Sequence, residues 1–349
     1  MQKKLIALAV AGMFAVPAAF AATSNVDIYG VLNVDVNRVD QDVNGVDNQV
    51  SVSSNASRIG FKGSEDLGGG LSAIWQIESG FTADEGTGNF ATRNTFVGLK
   101  GGFGTILAGR HDTPVKLLGR SVDNFGDGMA DSRNLLGSER FVGANVFDLR
   151  PNNTIAYTTP DMSGLTAMLA YVTGTGTDNG LDNNDTDLWS ANVVYANGPF
   201  MLGAGYEKHN TATNDEKIWR LVGKFTMADL TLGAQYDNAS SDIDSDNDHN
   251  GWGVFANYKL GAVTLKANYL SVGDAKGVND SGAKQYTLGA DYALSKRSTV
   301  YAYYAQIKND RWAAYTLGQA AGVSDSATAV TGTWDADPSV FGIGMKHSF

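Results

Sequence analysis

Apolar and polar residues alternate along most of this chain with a period of two, and this pattern constrains the fold more than any other feature. In one such segment the apolar side consists of Leu230, Leu232, Ala234 and Tyr236. A period of two with one apolar face is typical of a half-buried β-strand and differs from the helical period of 3.6. Beyond residue 22 no apolar run approaches the roughly 20 residues that a membrane-spanning helix requires. The sequence therefore predicts an all-β protein.

Sixteen alternating segments can be counted, and they begin near residues 26, 58, 71, 93, 105, 152, 165, 187, 200, 218, 230, 251, 263, 285, 298 and 339. Their connections alternate strictly between seven short and eight long ones, and the longest spans residues 111–151. Transmembrane β-barrels have short periplasmic turns at one end and long extracellular loops at the other. The pattern predicts a 16-stranded antiparallel transmembrane β-barrel.

Aromatic residues recur six positions apart on the apolar face of four strands, in the pairs Trp189/Tyr195, Trp219/Phe225, Trp252/Tyr258 and Tyr286/Tyr292. Six residues of extended chain span about 20 Å, which matches two aromatic girdles around a lipid-facing band about 25 Å tall. A soluble β-sandwich also alternates, but it gives no reason for aromatic residues at both ends of one face in strand after strand. The spacing favours the barrel.

The opposite face carries charged and amide side chains from many strands, namely Arg58, Lys62, Glu78, Arg220, Lys224, Gln235, Lys259, Lys266, Asn268 and Asp291. One long polar side chain can extend out of an apolar core, but so many on one face indicate a wet interior. Sixteen strands enclose an aqueous channel rather than a packed core. The sequence therefore predicts a water-filled pore through a membrane.

Residues 1–21 are predicted to be a cleaved signal peptide that precedes a barrel domain of residues 22–349. Lys3 and Lys4 come before an apolar stretch, and Ala19-Phe20-Ala21 matches the small-x-small cleavage rule. A membrane anchor is the alternative, although Pro17 and the richness in alanine argue against it. The chain has no Cys. An exported chain without disulfides fits a bacterial envelope better than a small extracellular domain.

The composition argues against several classes of function. A net charge of −11 disfavours nucleic-acid binding. The four histidines lack the spacing of a metal or acid–base site, and the acidic run 242–248 lacks the glycine and glutamate of an EF-hand. We therefore expect no metal, no cofactor and no enzymatic activity.

Six motifs spread over the mature chain carry a family resemblance. They are residues 26–30 (VDIYG), 57–68 (SRIGFKGSEDLG), 94–104 (NTFVGLKGGFG), 109–110 (GR), 153–157 (NTIAY) and 342–349 (GIGMKHSF). With these motifs the chain resembles the general diffusion porins of Gram-negative bacteria, of the neisserial and betaproteobacterial trimeric type. The resemblance implies a homotrimer in the outer membrane, a third loop folded into the pore, and passive diffusion of ions and small hydrophilic solutes.

The resemblance also implies contacts with outer-membrane lipid, with lipopolysaccharide and with the outer-membrane assembly machinery. The terminal Phe349 resembles the last-strand signal that this machinery recognises. The alternative is that Phe349 is simply one more lipid-facing residue, and both interpretations can hold together.

Loop 111–151 is predicted to narrow the pore, as the resemblance implies. The candidate wall bases are Arg58, Lys62 and Arg110, and the candidate loop residues are Lys116, Arg120, Asp123, Asp127 and Asp131. Opposed charges across a constriction set ion selectivity, and ordinary solvated charges are the alternative. Acids at the pore mouth are screened over about 8 Å at physiological salt. We expect a weak anion preference at moderate salt that shifts toward cations at low salt.

Three other functions remain open at this point. A substrate-specific channel would need a patterned binding track, which the sequence does not exclude. An outer-membrane barrel enzyme such as a lipase would need Ser, His and an acid at one lipid-exposed site, and His347 is the strand-borne candidate. An adhesin role of the loops toward host or phage proteins is compatible with a pore.

Overall fold

The computed structural model describes residues 25–137, 147–174, 187–210, 215–242, 248–318 and 334–349. They contain one short helix, α1 (Pro114–Arg120), and one 3-10 turn (Ser132–Asn134). The strands are β1 (Asn25–Asp40), β2 (Gln49–Ser54), β3 (Arg58–Gly68), β4 (Leu71–Thr82), β5 (Thr87–Gly88), β6 (Thr95–Gly101), β7 (Gly104–Arg110), β8 (Thr154–Thr158), β9 (Leu165–Val172), β10 (Leu188–Asn197), β11 (Phe200–Asn210), β12 (Asp215–Met227), β13 (Leu230–Ser241), β14 (His249–Leu260), β15 (Val263–Val272), β16 (Ala283–Ala293), β17 (Ser298–Asn309) and β18 (Ser339–Ser348). Residues 1–24 are not described, so the signal peptide stays a prediction.

These strands form one closed antiparallel wall with sixteen positions. β2 and β3 together occupy one position, because β2 pairs with the second half of β1 and β3 pairs with the first half. β5 is a two-residue extension paired with β4. The wall closes where β1 also pairs with β18. The predicted 16-stranded antiparallel barrel is confirmed.

Several strands extend farther on the long-loop side than the alternation predicted. β12 begins at Asp215 rather than near residue 218, and β14 begins at His249 rather than near residue 251. Polar pairs such as Lys208 with Asp215 occupy the outer face there, with Nζ 2.7 Å from Oδ2. The alternation of apolar and polar residues disappears where the outer face is charged, although the backbone pairing between neighbouring strands continues there.

The outer face carries the aromatic residues of the predicted girdles. Seven of the eight are exposed, namely Trp189, Tyr195, Trp219, Trp252, Tyr258, Tyr286 and Tyr292, and Phe225 is half-buried. Neighbouring strands add rings beside them, as where the Tyr171 and Trp189 centroids lie 4.4 Å apart. These contacts extend the aromatic rows across adjacent strands, as expected at the edges of a lipid-facing band.

No helix in the described ranges has the length and hydrophobicity needed to cross a membrane.

The inner face also carries apolar side chains, which the lumen-facing alternation did not indicate. The described residues of the connection between β7 and β8, 111–137 and 147–153, fold into the barrel and are called the lumen loop below. Its apolar side chains form one buried cluster with inward-facing wall residues, including Leu118, Val122, Phe125, Met129, Leu136, Val222, Phe255, Leu270, Tyr303 and Ile307. The loop covers these wall positions because burial of apolar surface is favourable. The predicted third loop folded into the pore is confirmed.

Candidate functional site

Helix α1 starts the lumen loop and fixes its path along the wall. Thr113 caps the helix through its side-chain oxygen, which accepts from the Lys116 N–H at 3.4 Å, and Pro114 suits the first turn. Two strand β10 side chains hold this turn, because Ser190 Oγ accepts from the Val115 N–H at 3.2 Å and Asn192 donates to the Pro114 carbonyl at 2.7 Å.

A buried ion cluster closes the neck of the loop. Asp112 lies 3.0 Å from both Lys116 Nζ and Arg150 Nε. Burial lowers the pKa of Lys116 to about 8 although Asp112 opposes the shift. Burial alone would raise the pKa of Asp112, but Lys116 and Arg150 hold it well below its usual value. The two arms of the loop are therefore joined by charge-assisted contacts.

Arg220 of β12 attaches both arms of the loop to the wall. Its guanidinium is fully buried and binds Asp237 of β13 through two hydrogen bonds of 2.8 Å. It also binds Asp148 in the returning arm, with one contact at 3.0 Å, and donates to the Val115 carbonyl in the outgoing arm at 3.0 Å. A Cβ at Gly119 would lie 2.5 Å from this guanidinium, so the close approach requires glycine.

The tip of the loop is folded by two carboxylates. Asp123 accepts hydrogen bonds from the N–H groups of Phe125 and Ser132, at 2.9 and 3.0 Å. Asp131 accepts from the Asp127 N–H at 2.7 Å and from Arg133 Nε at 2.8 Å. The backbone between Asp123 and Arg133 is thereby held as a compact turn.

Asp127, within this turn, contacts the wall. Its carboxylate lies 2.7 Å from Arg120 and 3.3 Å from Arg58 of β3. Burial opposes ionisation, but the surrounding guanidinium groups, with Arg120 the strongest, hold the pKa of Asp127 well below its usual value. The structure thus brings together three of the predicted residues.

A second carboxylate, Glu78 of β4, continues this group of charges along the inner face. Arg93 binds it at 2.5 Å, Tyr29 donates to it at 2.9 Å, and Arg58 lies 3.9 Å away. The cluster formed by Arg58, Arg93, Arg120, Glu78 and Asp127 is called the arginine cluster below. Arg93 was not among the predicted residues, because it lies just before β6 and outside a clear alternation.

The other predicted residues occupy different positions. Lys62 lies on the inner face of β3, exposed, with its ammonium 5.3 Å from the centre of the Tyr29 ring. Arg110 follows the alternation of Ile106 and Ala108, which are exposed on the outer face. Its side chain donates to the Thr92 carbonyl at 2.9 Å and to Asn152. In the described part of the chain, no ion pair joins Arg110 to a lumen-loop acid.

Phe349 lies at the seam where the barrel closes. Its N–H donates to the Gly30 carbonyl at 3.1 Å, and its carbonyl accepts from the Gly30 N–H at 3.0 Å. A Cβ at Gly30 would lie 2.4 Å from the Phe349 ring, so the ring packs against β1 at a position that requires glycine.

The described histidines make separate local contacts, and His111 Nδ1 lies 2.8 Å from the Asp112 carbonyl oxygen. His209 Nε2 contacts Glu207 at 2.8 Å inside the wall, and His347 Nδ1 contacts Ser298 Oγ at 2.8 Å on the outer face. A lipase-like site would need an acid on the second imidazole nitrogen, and the described contacts of His347 include none. No group of three or more potential metal-binding side chains is found in the same residues.

Comparisons with known proteins agree with this geometry. A family model described as Gram-negative porin matches residues 7–312. "Outer membrane porin protein 32" of Delftia acidovorans is 33% identical and aligns over all of both chains. "Major outer membrane protein P.IB" of Neisseria meningitidis serogroup A is 30% identical over 86% of this chain and 91% of that protein. The solved "Anion-selective porin from Comamonas acidovorans" is 28% identical, with a TM-score of 0.76 over 93% of this chain and all of that one.

Proposed function

Because this chain belongs to the Gram-negative porin family and forms an outer-membrane channel, we propose that it passes ions and small hydrophilic solutes by passive diffusion with a weak anion preference. The observation that carries the preference is the charge of the arginine cluster, in which three arginines surround the two acids Glu78 and Asp127. Lys62 adds a fourth cation on the same inner face of the wall. The description of the Comamonas porin as anion-selective supports the same preference.

The double variant Arg58→Gln/Lys62→Gln tests this proposal. We expect the anion-to-cation permeability ratio to fall by about two- to fivefold, because each lost charge acts at short range in a confined space. The measurement is the reversal potential across a salt gradient in a planar bilayer. Arg110→Gln is the matched control, since its side chain shares the outer-face alternation, and its reversal potential should equal that of the wild type.

An unchanged reversal potential in the double variant would contradict the proposed role of Arg58 and Lys62. An equal shift in Arg110→Gln would instead restore Arg110 to the constriction. The wild-type preference should also move toward cations as salt is lowered. At low salt the screening length is longer, so the acids of the mouth loops attract cations from farther away. Several acids of those loops, including Asp178 and Asp182, lie outside the described residues.

The pore should respond to pH through Asp123. Burial and the neighbouring Asp131 raise the pKa of Asp123 to about 6, so its negative charge is lost as pH falls through that value. Asp123 lines a cavity of about 340 Å³ together with Lys224 and Lys266. We therefore expect the anion preference to increase between pH 7 and pH 5. Asp123→Asn should show the greater preference at both pH values, and a variant that keeps the full pH shift would contradict this assignment.

We also propose that the channel is a homotrimer. An outward groove of about 590 Å³ between β1, β3, β4 and the following loop is lined by Leu32, Ile59, Phe61, Phe81 and Phe90. An exposed apolar surface of this kind suits contact with another protein surface or with lipid. Gel migration in detergent before and after heating tests the trimer.

The remaining predictions are also proposals. We propose that the protein has no enzymatic activity, that lipopolysaccharide and outer-membrane lipid contact the girdles, and that the assembly machinery recognises Phe349. The alternative of a substrate-specific channel gains support from one feature of the lumen, a cation-lined cavity beside a short turn.

A further inference from the structure

A cavity of about 280 Å³ opens beside the short turn that joins β16 and β17. Its walls come from β1, β15, β16, β17, β18 and the tip of the lumen loop. The volume is close to the lower end of the range, about 300 Å³, that holds small ligands in proteins. Residues from the arginine cluster are absent from its lining in the described part of the chain.

Three cationic side chains face this cavity, and one of them, Lys346, is attracted by Asp127 and Asp291 without a direct contact. Lys346 lies on the inner face of β18, and Lys296 and Arg297 lie in the adjoining turn. Across the described residues, none of their charged groups makes a hydrogen bond or an ion pair. All three are exposed, so their charges are available to a solute.

The two acids of the cavity are already engaged. Asp291 lies 3.0 Å from Lys266 Nζ, and this pair is neutral as a unit. Asp35 accepts hydrogen bonds from Asn37 at 2.7 Å and from the Tyr303 hydroxyl at 3.1 Å. Four cations and two acids line the cavity, so the cations exceed the acids by two.

The rest of the lining suits a short carbon skeleton with polar substituents. The Phe125 ring forms part of the wall and lies under Lys266 Nζ, 4.4 Å from the ring centre. Asn33 and the Tyr301 hydroxyl, 2.8 Å apart, supply hydrogen-bonding groups nearby. Convergent charged groups at one side and an aromatic surface at the other are typical of small-molecule sites.

We propose that this cavity is a docking site at which a small organic oxyanion, carrying a carboxylate or a phosphate, pauses during permeation. The oxyanion is held by Lys346 and Arg297 through charge-assisted hydrogen bonds, and its carbon skeleton lies against Phe125. The site rests on the proposed anion-permeable channel and adds a solute class to it. Because the cavity opens beside a short turn, the oxyanion enters from the periplasmic end.

The experiment is single-channel recording in potassium chloride with probes added to one side at a time. Succinate tests the carboxylate, glycerol 2-phosphate tests the phosphate, and succinamide is the neutral analogue of succinate. We expect at least one oxyanion to reduce the chloride current at a lower concentration from one side than from the other, and succinamide to leave it unchanged. The probe that blocks identifies the head group.

The variant Lys346→Gln should raise the concentration for half-block by about threefold, the value of one solvent-accessible charge contact. Lys259→Gln is the matched control, because Lys259 is also an exposed lysine on the inner face and does not line the cavity. Equal block in Lys346→Gln and in the wild type, or block by succinamide, would overturn the docking site. A wild-type channel without chloride preference would overturn the proposed selectivity instead, so the two failures are distinguishable.

Discussion

In the variant Arg220→Met, we expect the lumen loop to leave the wall and the barrel to lose about 3–5 kcal/mol of stability, as when one partner of a buried ion pair is removed. Asp148 and Asp237 would remain as buried carboxylates without their cation, and the Val115 carbonyl would lose its donor. The temperature at which the folded band unfolds in a detergent gel measures the stability. Single-channel conductance measures the loop, and it should increase because a released loop no longer fills the lumen.

Two further variants distinguish an effect on the stability of the wall from an effect on the attachment of the loop. Lys217→Gln is the control for loss of an ion pair, since its contact with Asp242, at 2.7 Å, lies on the exposed rim, where solvent screens the attraction and little stability should be lost. Asp148→Asn keeps the contact of Arg220 with Asp237 and weakens only the attachment of the loop. It should raise conductance with a smaller loss of stability. If Arg220→Met has the same unfolding temperature and the same single-channel conductance as Lys217→Gln, Arg220 does not anchor the loop.

Deletion of Phe349 should reduce the amount of folded, heat-modifiable protein in the outer membrane by about tenfold or more. The deletion removes the two backbone hydrogen bonds to Gly30 and the ring that covers it. Each backbone hydrogen bond contributes about 1 kcal/mol, and burial of part of an aromatic ring adds to this. The amounts of folded protein in unheated samples and of total chain in heated samples, compared in outer-membrane fractions, give the result.

Phe349→Ala separates recognition of the side chain from closure of the backbone, because it keeps both hydrogen bonds to Gly30. Phe341→Ala is the matched control, since Phe341 is also exposed on the outer face of β18. We expect Phe349→Ala to assemble poorly and Phe341→Ala to assemble normally. Normal amounts of folded protein after deletion of Phe349 would show that the residue is only a lipid contact.

The barrel wall could be predicted from the sequence because the inside and the outside of a strand are set by neighbouring residues. The face of Arg110 was harder to predict, since Ile106, Leu107 and Ala108 are all apolar and give β7 no readable alternation. Leu107 is buried on the inner face, which places Arg110 with the outward residues. A run that is apolar on both faces does not specify its orientation.

The path of the lumen loop depends on contacts between distant parts of the chain. Val222, Phe255 and Leu270 are inward-facing apolar residues among polar ones, and they are buried because the loop covers them. The role of Arg220 likewise depends on Asp148, which lies 72 residues earlier. Alternation identifies such side chains as inward-facing, but it does not indicate which loop residue meets them.

The order of the strands also sets when the lumen loop can reach its final position. Its partners on the wall follow it in the chain by large separations, 151 residues for Asn134 with Gln285 and 144 for Asn124 with Asn268. The seam is more distant still, with 268 residues between Asp35 and Tyr303. Contacts between residues so far apart in the chain are slow to form. The entropy cost of closing the intervening chain is incurred before the contacts contribute favourable free energy. An N-terminal half released early would therefore carry an apolar loop without the surface that covers it, and would depend on protection from aggregation until the last strand arrives.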